Sequence, residues 1–293
     1  MTDTTAVQHD APPIVACTIS RDVQIFDLLI EDMETELGEA WGDLSFEDAR
    51  QFFRQPDSGS LKFVAVAIDQ EDEGALAMIA DLIKSAKTQG VKVILIADEV
   101  QAGMARTGKL FAMEHAGVAA DLVTMAKGLA GGFPLSAVTG RSEVVDAAPT
   151  GGIGGTYAGN PLAVAAAHAV LDVIVEEDLC ARAEEVGNAL RERLDALAAR
   201  QGLEAIGDVR GLGAMVAFEL VTDRATRTPD AALTQAIVAE AEARGLIILP
   251  CGTHGNVVRL LPPLTIPMAQ VDEALDILEA SIEAAVGQTR AAA

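Results

Sequence analysis

The chain has 293 residues, enough for one large domain or two ordinary ones, each with its own apolar core. Half of its residues are hydrophobic but only 3% are aromatic, so Ala, Val, Leu and Ile must build that core. The formal net charge of −23 argues against nucleic acid and anionic membrane surfaces as partners.

The cysteines and the N-terminus indicate the cellular compartment of the protein. Cys17, Cys180 and Cys251 are widely spaced, which indicates neither a disulfide framework nor a metal-binding pattern. Residues 1–13 lack the basic-then-apolar pattern of a signal peptide and are expected to form a disordered tail. No apolar run approaches the length that spans a bilayer. We therefore predict a soluble, cytoplasmic protein.

The pattern of residues 14–97 predicts alternating strands and helices. Strands are expected at 14–19, 62–68 and 91–97, and helices at 24–37, 47–55 and 74–88, with room for one more strand between the first two helices. This order implies right-handed crossovers and a parallel sheet, hence an α/β fold. The segment is also about twice as acidic per residue as the remainder, so a foreign fused origin is one interpretation.

An acidic run, Asp-Gln-Glu-Asp-Glu at 69–73, follows the strand at 62–68. Residues 14–97 loosely resemble the atypical receiver-like domains at the front of some pilus-assembly ATPases. In a true receiver Asp69 would be the phosphoacceptor. The simpler interpretation is a solvated loop whose acids are favoured by the dipole of the following helix.

Two apolar runs each lead to one ionisable residue, Asp98 after residues 94–97 and Lys127 after residues 122–126. In open α/β sheets, ligands bind just past the carboxyl ends of such buried strands. A carboxylate there can pair with a protonated pyridine nitrogen, and a lysine amine can form a Schiff base. The pair therefore predicts a site for a pyridine-type cofactor.

Several motifs follow in a fixed order. They are Asp-Glu-Val-Gln at 98–101, Arg-Thr-Gly-Lys-Leu at 106–110, Thr-Met-Ala-Lys at 124–127, Gly-Gly-Phe-Pro-Leu at 131–135, Gly-Gly-Thr-Tyr-Ala-Gly-Asn-Pro at 154–161, Asp-Val-Arg-Gly-Leu-Gly-Ala at 208–214 and Gly-Asn-Val-Val-Arg-Leu-Leu-Pro-Pro-Leu-Thr-Ile at 255–266. Together they resemble the class III (omega) aminotransferases, pyridoxal 5′-phosphate enzymes of fold type I, and among these the 4-aminobutyrate type. The resemblance covers about residues 98–286, which makes it far more specific than one short motif.

This resemblance implies a domain plan and a reaction. Residues 98–170 would be the cofactor-binding part of an incomplete, parallel-sheet large domain, and residues 171–293 a smaller α+β domain. The reaction would be transfer of an amino group from an omega-amino acid to 2-oxoglutarate. Small-molecule amino and 2-oxo acids would then be the substrates.

The resemblance also assigns roles to single residues. Lys127 would carry pyridoxal 5′-phosphate as a Schiff base, Asp98 would pair with its ring nitrogen, and Gln101 would reach its phenolic oxygen. Thr156 would contact the phosphate of the neighbouring subunit's cofactor, which implies a homodimer with sites at the interface. Arg259 would bind the substrate carboxylate in bidentate geometry.

Each assignment has a simpler alternative. Asp98 could be a helix cap or surface acid, Gln101 a loop amide, Lys127 a surface lysine, Thr156 a helix cap, and Arg259 one half of an internal ion pair. The turn that carries Arg106 resembles a structural turn of the family, so no catalytic role is assigned to it. His115 and His168 are expected to be ordinary core or surface histidines, and no metal site is predicted.

The family's phosphate-binding glycine/serine loop, ring-stacking aromatic and further substrate arginines have no counterpart in residues 1–97. The second hypothesis is therefore a catalytically impaired protein, in which a receiver-like signalling or interaction module is fused to a dimerising aminotransferase remnant.

The C-terminal elements are expected as follows. Strands are predicted at 209–220, 246–249 and 256–261, and helices at 162–175, 177–200, 229–244 and 267–286. Thr228 is the expected N-cap of the third helix, and prolines are expected at the first positions of the third and fourth.

Overall fold

A computed structural model describes residues 16–19, 41–44, 63–66, 84, 88, 92–117, 119–148, 152 and 154–292. The predicted tail at 1–13, the predicted helices at 24–37 and 47–55 and the acidic run that begins at Asp69 lie outside these residues. So does the predicted helix at 74–88, apart from positions 84 and 88, which are helical.

Six strands form the first sheet, in the order β2-β1-β3-β4-β5-β6. They are β1 (Ala16–Ile19), β2 (Trp41–Leu44), β3 (Phe63–Val66), β4 (Lys92–Asp98), β5 (Leu122–Met125) and β6 (Ala137–Gly140). β1 pairs in parallel with β2 and with β3, and β3 pairs in parallel with β4. The predicted α/β fold is confirmed, these three strand pairs are parallel as expected, and β2 fills the place left for a further strand.

The carboxylate of Asp121, just before β5, joins three segments of chain. Its Oδ2 accepts a hydrogen bond from the backbone N–H of Leu95 in β4 (2.9 Å), and its Oδ1 accepts one from Arg141 (3.0 Å). The backbone N–H of Asp121 in turn donates to the carbonyl of Leu95 (2.8 Å). Arg141 immediately precedes the short helix α1 (Ser142–Val145).

The chain divides into two compact units. The first comprises Met1–Ala97, Ala120–Thr124 and Val138–Ile153, and the second comprises Asp98–Ala119, Met125–Ala137 and Gly154–Ala293. Every residue assigned to the cofactor or substrate from the sequence belongs to the second unit. The domain boundaries predicted at 97/98 and 170/171 rest on family resemblance as well as on expected packing. They stay predictions.

The second unit contains an antiparallel sheet in the order β10-β11-β8-β7, with β9 paired to β8. Its strands are β7 (Ile206–Leu212), β8 (Met215–Asp223), β9 (Thr228–Pro229), β10 (Pro250–Cys251) and β11 (Val257–Leu260). Its helices are α2 (Pro161–Glu176), α3 (Leu179–Ala198), α4 (Ala231–Ala243) and α5 (Met268–Ala292).

One face of this sheet forms the core of the second unit. Val216, Phe218 and Leu220 alternate along β8 and are fully buried, because α3 and α4 pack on that side. The predicted apolar stripe of α5 is buried as well; its members are Val271, Leu275, Leu278, Ile282 and Val286. The α+β character expected of this part of the chain is therefore present.

Three element predictions were wrong. Residues 209–220 are two strands, not one, because the chain reverses at Gly213, whose φ of 50° favours glycine. Residues 246–249 form no strand, since the Leu246 amide instead bonds the Ala241 carbonyl at the end of α4 (2.9 Å). The N-cap of α4 is Asp230 instead of Thr228, and its first residue is Ala231 instead of Pro229, because Thr228 and Pro229 pair with β8 as β9.

Within the described part of the chain, no helix combines the length and apolar character needed to cross a membrane.

Candidate active site

Asp98 and Glu99 stand side by side at the end of β4 and point to different environments. The Asp98 side chain is exposed, and its Oδ1 accepts a hydrogen bond from the backbone N–H of Val100 (3.1 Å). Glu99 is buried, and its carboxylate accepts hydrogen bonds from the N–H groups of Ala112 (3.0 Å) and Met113 (2.9 Å). Glu99 therefore anchors the loop that presents Asp98. No sequence pattern predicts this role of Glu99, because the donors are backbone groups.

Lys127 begins a short 3₁₀ helix, Lys127–Ala130, directly after β5. Its side chain is exposed, and its φ of 49° lies in the left-handed region. This conformation costs a non-glycine residue about 1 kcal/mol, and such strain is common where a side chain has a functional position. The hydroxyl of Thr124 in β5 donates to the carbonyl of Ala97 in β4 (3.4 Å), so the two strands end next to each other.

The 3₁₀ helix of Lys127 packs against two other segments of the second unit. A Cβ placed on Gly128 would lie 3.6 Å from Cβ of Met104, in the loop that follows Gln101. A Cβ placed on Gly131 would lie 3.2 Å from a methyl of Val170 in α2. The structure thus brings the Lys127 helix together with the loop after Gln101 and with α2.

Thr156 lies in the turn that precedes α2, and its side chain is exposed. The N-cap of α2 is Asn160, whose Oδ1 accepts from the N–H of Leu162 (2.9 Å). The alternative that Thr156 merely caps this helix is therefore wrong. Its hydroxyl makes no hydrogen bond with any residue that the structure describes, so it is available to a ligand.

Arg259 lies in β11 on the side of the sheet opposite the core. Its neighbours Val258 and Leu260 are buried on the core side, and Arg259 is half-buried. Among the described residues it has no ion pair and no hydrogen bond, so the alternative of an internal ion pair finds no partner there.

Arg106 has the structural role expected of it. Its guanidinium donates a hydrogen bond to the carbonyl of Pro262, and its own carbonyl accepts from the N–H of Ala214 (3.0 Å). Burial lowers the pKa of Arg106 below its usual value. His115 is exposed, with its Nε2 2.8 Å from the carbonyl oxygen of Thr107, and His168 is exposed on α2, so both are ordinary surface histidines.

The donor set fits pyridoxal 5′-phosphate. An amine, an amide and a hydroxyl, those of Lys127, Gln101 and Thr156, make no hydrogen bond or ion pair within the described residues. The exposed carboxylate of Asp98 suits a cationic ring nitrogen. The amine suits an aldehyde, the amide a phenolic oxygen, the hydroxyl a phosphate, and the carboxylate a pyridinium.

The same conclusion comes from comparison with known proteins. The profile described as "Aminotransferase class-III" matches residues 72–282. The chain therefore belongs to the class III aminotransferase family, whose enzymes depend on pyridoxal 5′-phosphate. The match begins upstream of residue 98, where the sequence resemblance was expected to start.

Comparison with individual relatives gives more detail than the family profile. The chain is 55% identical to the 4-aminobutyrate aminotransferase GabT of Escherichia coli (strain K12) over 186 residues, which is 64% of this chain and 43% of that protein. It is 52% identical to the 5-aminovalerate aminotransferase DavT of Pseudomonas putida over 187 residues, again 64% and 43%. The acetylornithine aminotransferase structure from Elizabethkingia anophelis superimposes with a TM-score of 0.68 at 29% identity, covering 92% of this chain and 65% of that one.

The chain thus spans less than half the length of the curated relatives it matches.

Proposed function

We propose that this chain carries out pyridoxal-phosphate-dependent transamination of an omega-amino acid resembling 4-aminobutyrate, with 2-oxoglutarate as the amino acceptor. The observation that carries the proposal is the placement of Asp98 and Lys127 just past the ends of the adjacent strands β4 and β5. The names of the relatives support the choice of amino donor.

Pyridoxal 5′-phosphate, when bound, supplies a conjugated ring that accepts the electrons released when a proton leaves the substrate carbon. Lys127 would provide the amine that holds the cofactor aldehyde, and its Nζ would move the proton at the substrate carbon. Asp98 would keep the ring nitrogen protonated. Gln101 would donate to the phenolic oxygen, and Thr156 would donate to a phosphate.

Arg259 binds the substrate carboxylate in this proposal. A guanidinium presents paired donors that match the two oxygens of a carboxylate. The absence of a partner for Arg259 among the described residues supports this role, because a half-buried guanidinium gains most from an anion that satisfies its donors.

We further propose a homodimer in which Thr156 serves the partner's cofactor. Several large apolar side chains around Thr156 and along α2 are exposed, including Tyr157 (86%), Leu162 (68%) and Val175 (79%). Exposed apolar surface of this kind marks interaction sites. Sedimentation equilibrium should give twice the chain mass of 30.4 kDa, and a monomer at all concentrations would contradict the dimer.

Reductive trapping tests the core of the proposal. The chain is incubated with pyridoxal 5′-phosphate, reduced with borohydride, digested and mapped by mass spectrometry. We expect a pyridoxyl group on Lys127, and none in the Lys127→Arg variant. Lys109→Arg is the matched control, because Lys109 is also exposed and lies in the same unit. Equal labelling of Lys109 and Lys127, or no label at all, would contradict the proposal.

Catalysis is tested separately, by formation of glutamate from 2-oxoglutarate with 4-aminobutyrate as donor. The comparisons do not favour the alternative of an impaired fusion with a receiver-like module. We propose a cytoplasmic location, since the wide spacing of Cys17, Cys180 and Cys251 indicates no disulfide framework.

A further inference from the structure

Lys127 and Met104 both have left-handed backbone conformations, and Met104 lies against Gly128, the residue after Lys127. The φ angles of Lys127 and Met104 are 49° and 55°, and Ala105 follows Met104 with 66°. This region of backbone is costly for any residue with a Cβ, so it persists only where the surroundings impose it. Strained backbone on both sides of one contact indicates that the contact has a fixed geometry.

The contact joins the Met104 side chain to the backbone of Gly128. A Cβ built on Gly128 would lie 3.6 Å from Cβ of Met104 and 3.9 Å from its Cγ, which is ordinary van der Waals distance. Among the described residues, no other atom from outside the 3₁₀ helix lies within 4 Å of that position. Met104 is 8% exposed, whereas Lys127 is exposed. The buried methionine therefore supports the start of the Lys127 helix from one side.

The loop that carries Met104 is fixed by its own contacts. The N–H of Gly103 donates to the carbonyl of Glu99 (3.1 Å), and the N–H of Ala105 donates to the carbonyl of Leu110 (3.3 Å). A Cβ on Gly103 would lie 2.7 Å from the Glu99 carbonyl oxygen, so the two segments are in close contact. The Ala105 side chain is fully buried. The backbone on both sides of Met104 is thus held in place, and the loop imposes the left-handed conformation on it.

The helix that begins with Lys127 is much less constrained by its own bonds. It is four residues long, Lys127–Ala130, and the N–H of Leu129 donates to the carbonyl of Ala126 (3.0 Å). So short a 3₁₀ segment has little stability by itself, because helical hydrogen bonds do not offset the cost of ordering a single turn. Its geometry therefore depends on packing, and the Met104 contact lies at its first turn.

We propose that Met104 is a positioning residue for Lys127. Its side chain transmits the fixed geometry of the loop to the backbone just after Lys127, and thereby sets the direction in which the Lys127 amine leaves the helix. A displacement of about 1 Å at a reacting group can cost on the order of a hundredfold in rate, so this support matters for chemistry at the amine. The inference rests on the role of Lys127 in the proposed function.

Hydrogen exchange in the full chain without cofactor tests the support directly, with deuterium uptake resolved to single amides by mass spectrometry. Met104→Gly removes the side chain, and glycine adopts a φ of 55° without strain, so the loop should keep its conformation. We expect the Leu129 amide to exchange about tenfold faster in this variant. Met104→Leu conserves volume and should stay within about twofold of the wild-type rate. Met104→Ala should give a smaller increase than Met104→Gly, and it replaces Met104→Gly if that variant folds poorly.

Placement of the amine is tested by the rate of labelling. The chain is mixed with pyridoxal 5′-phosphate, reduced with borohydride after short times and mapped by mass spectrometry. We expect Met104→Gly to slow labelling of Lys127 about tenfold, because the amine is less well oriented, and Met104→Leu to restore it. Lys109 in the same chain is the internal reference, and its labelling should not change.

Ile248→Ala is the matched control for loss of buried apolar contact. Ile248 is also 8% exposed and belongs to the same unit, but it lies between α4 and β10. This variant should lower the urea midpoint, as large-to-small substitutions of buried residues do. It should leave exchange at Leu129 and labelling of Lys127 at their wild-type rates.

Unchanged exchange at Leu129 in Met104→Gly would overturn the inference. Equal acceleration in Ile248→Ala would do the same, because Met104 would then act only through overall stability. So would faster exchange with an unchanged rate of labelling, since Met104 would then support the helix without placing the amine. Absence of any label on wild-type Lys127 contradicts the proposed function, whereas exchange at Leu129 needs no cofactor and decides separately whether Met104 supports the helix.

Discussion

The guanidinium of Arg106 donates a hydrogen bond to the backbone carbonyl of Pro262, which lies three residues beyond Arg259. Arg106 belongs to the loop that begins with Asp98 and Gln101. One side chain therefore ties the segment assigned to the cofactor to the strand assigned to the substrate carboxylate.

Replacing Arg106 by Met should destabilise the fold by about 2 kcal/mol, because a partly buried, charge-assisted hydrogen bond is lost. Urea denaturation measures the change. Arg244→Gln is the control: Arg244 makes an exposed pair with Glu240 one helical turn away (3.1 Å), and its loss should cost only about 0.3 kcal/mol. Equal losses in the two variants would show that the Pro262 bond contributes nothing particular.

Glu99→Gln should also be destabilising, by about 2 kcal/mol. The carboxylate accepts from two N–H groups, those of Ala112 and Met113, whereas an amide offers one oxygen and turns a donor toward the second N–H. Glu114→Gln is the comparison, since the exposed Glu114 accepts from the single N–H of Phe111 (2.8 Å) and glutamine can still do so. A thermal melt in which Glu99→Gln behaves like Glu114→Gln would contradict this account.

Two glycine-to-alanine substitutions in helices should have opposite effects. A Cβ on Gly187 in α3 would lie 1.8 Å from the carbonyl oxygen of Gly213, so Gly187→Ala must displace backbone, at a cost of about 3 kcal/mol or more. Gly287 in α5 has no atom within 4 Å of such a Cβ, and Gly287→Ala should stabilise by up to about 0.8 kcal/mol through helix propensity. Urea midpoints decide the signs, and stabilisation by both would refute the close approach of α3 to Gly213.

The thiol of Cys180 should react slowly with iodoacetamide. Burial raises the pKa of Cys180, the charges of Asp178 and Glu114 raise it further, and Lys109 opposes them. Because only the thiolate reacts, alkylation at about pH 8.5 should be slower in the folded chain than in urea. The same shift means that the stability contributed by this thiol is present below its unfolded pKa and is lost as pH rises through its folded pKa.

Asp178→Asn tests the electrostatic part of that shift. Asparagine caps helices as well as aspartate and tolerates the φ of 47° at this position, so α3 should keep its start. We expect Cys180 to be alkylated several-fold faster in this variant by quantitative mass mapping. An unchanged rate would mean that Asp178 does not contribute to the raised pKa of Cys180.

The positions of several strands could be predicted from the sequence. Buried parallel strands are apolar runs, and polar residues mark their ends. The positions of Asp98 and Lys127 at the ends of β4 and β5 could be predicted in this way, whereas their roles stay predictions. Helices α2 and α3 also begin and end within two residues of their predicted bounds, because periodicity and turn residues agree there.

The parts that could not be predicted depend on backbone partners distant in sequence. Glu99 binds N–H groups 13 and 14 residues away, and nothing in the residue types distinguishes those donors from others. Thr228 and Asp230 are equally good caps in isolation; the pairing of Thr228 with Asp223 in β8 decides between them.

The Asp121 carboxylate has a consequence for how the first sheet assembles. Residues 93–97 of β4 are Val, Ile, Leu, Ile and Ala, apolar on both faces, so burial alone scarcely distinguishes one alignment of this strand from the next. A slip by one residue would move Asp98 by about 3.3 Å and turn it to the other face of the sheet. The reciprocal bonds between Asp121 and Leu95 favour one alignment of this strand, so Asp121 helps to set the position of Asp98.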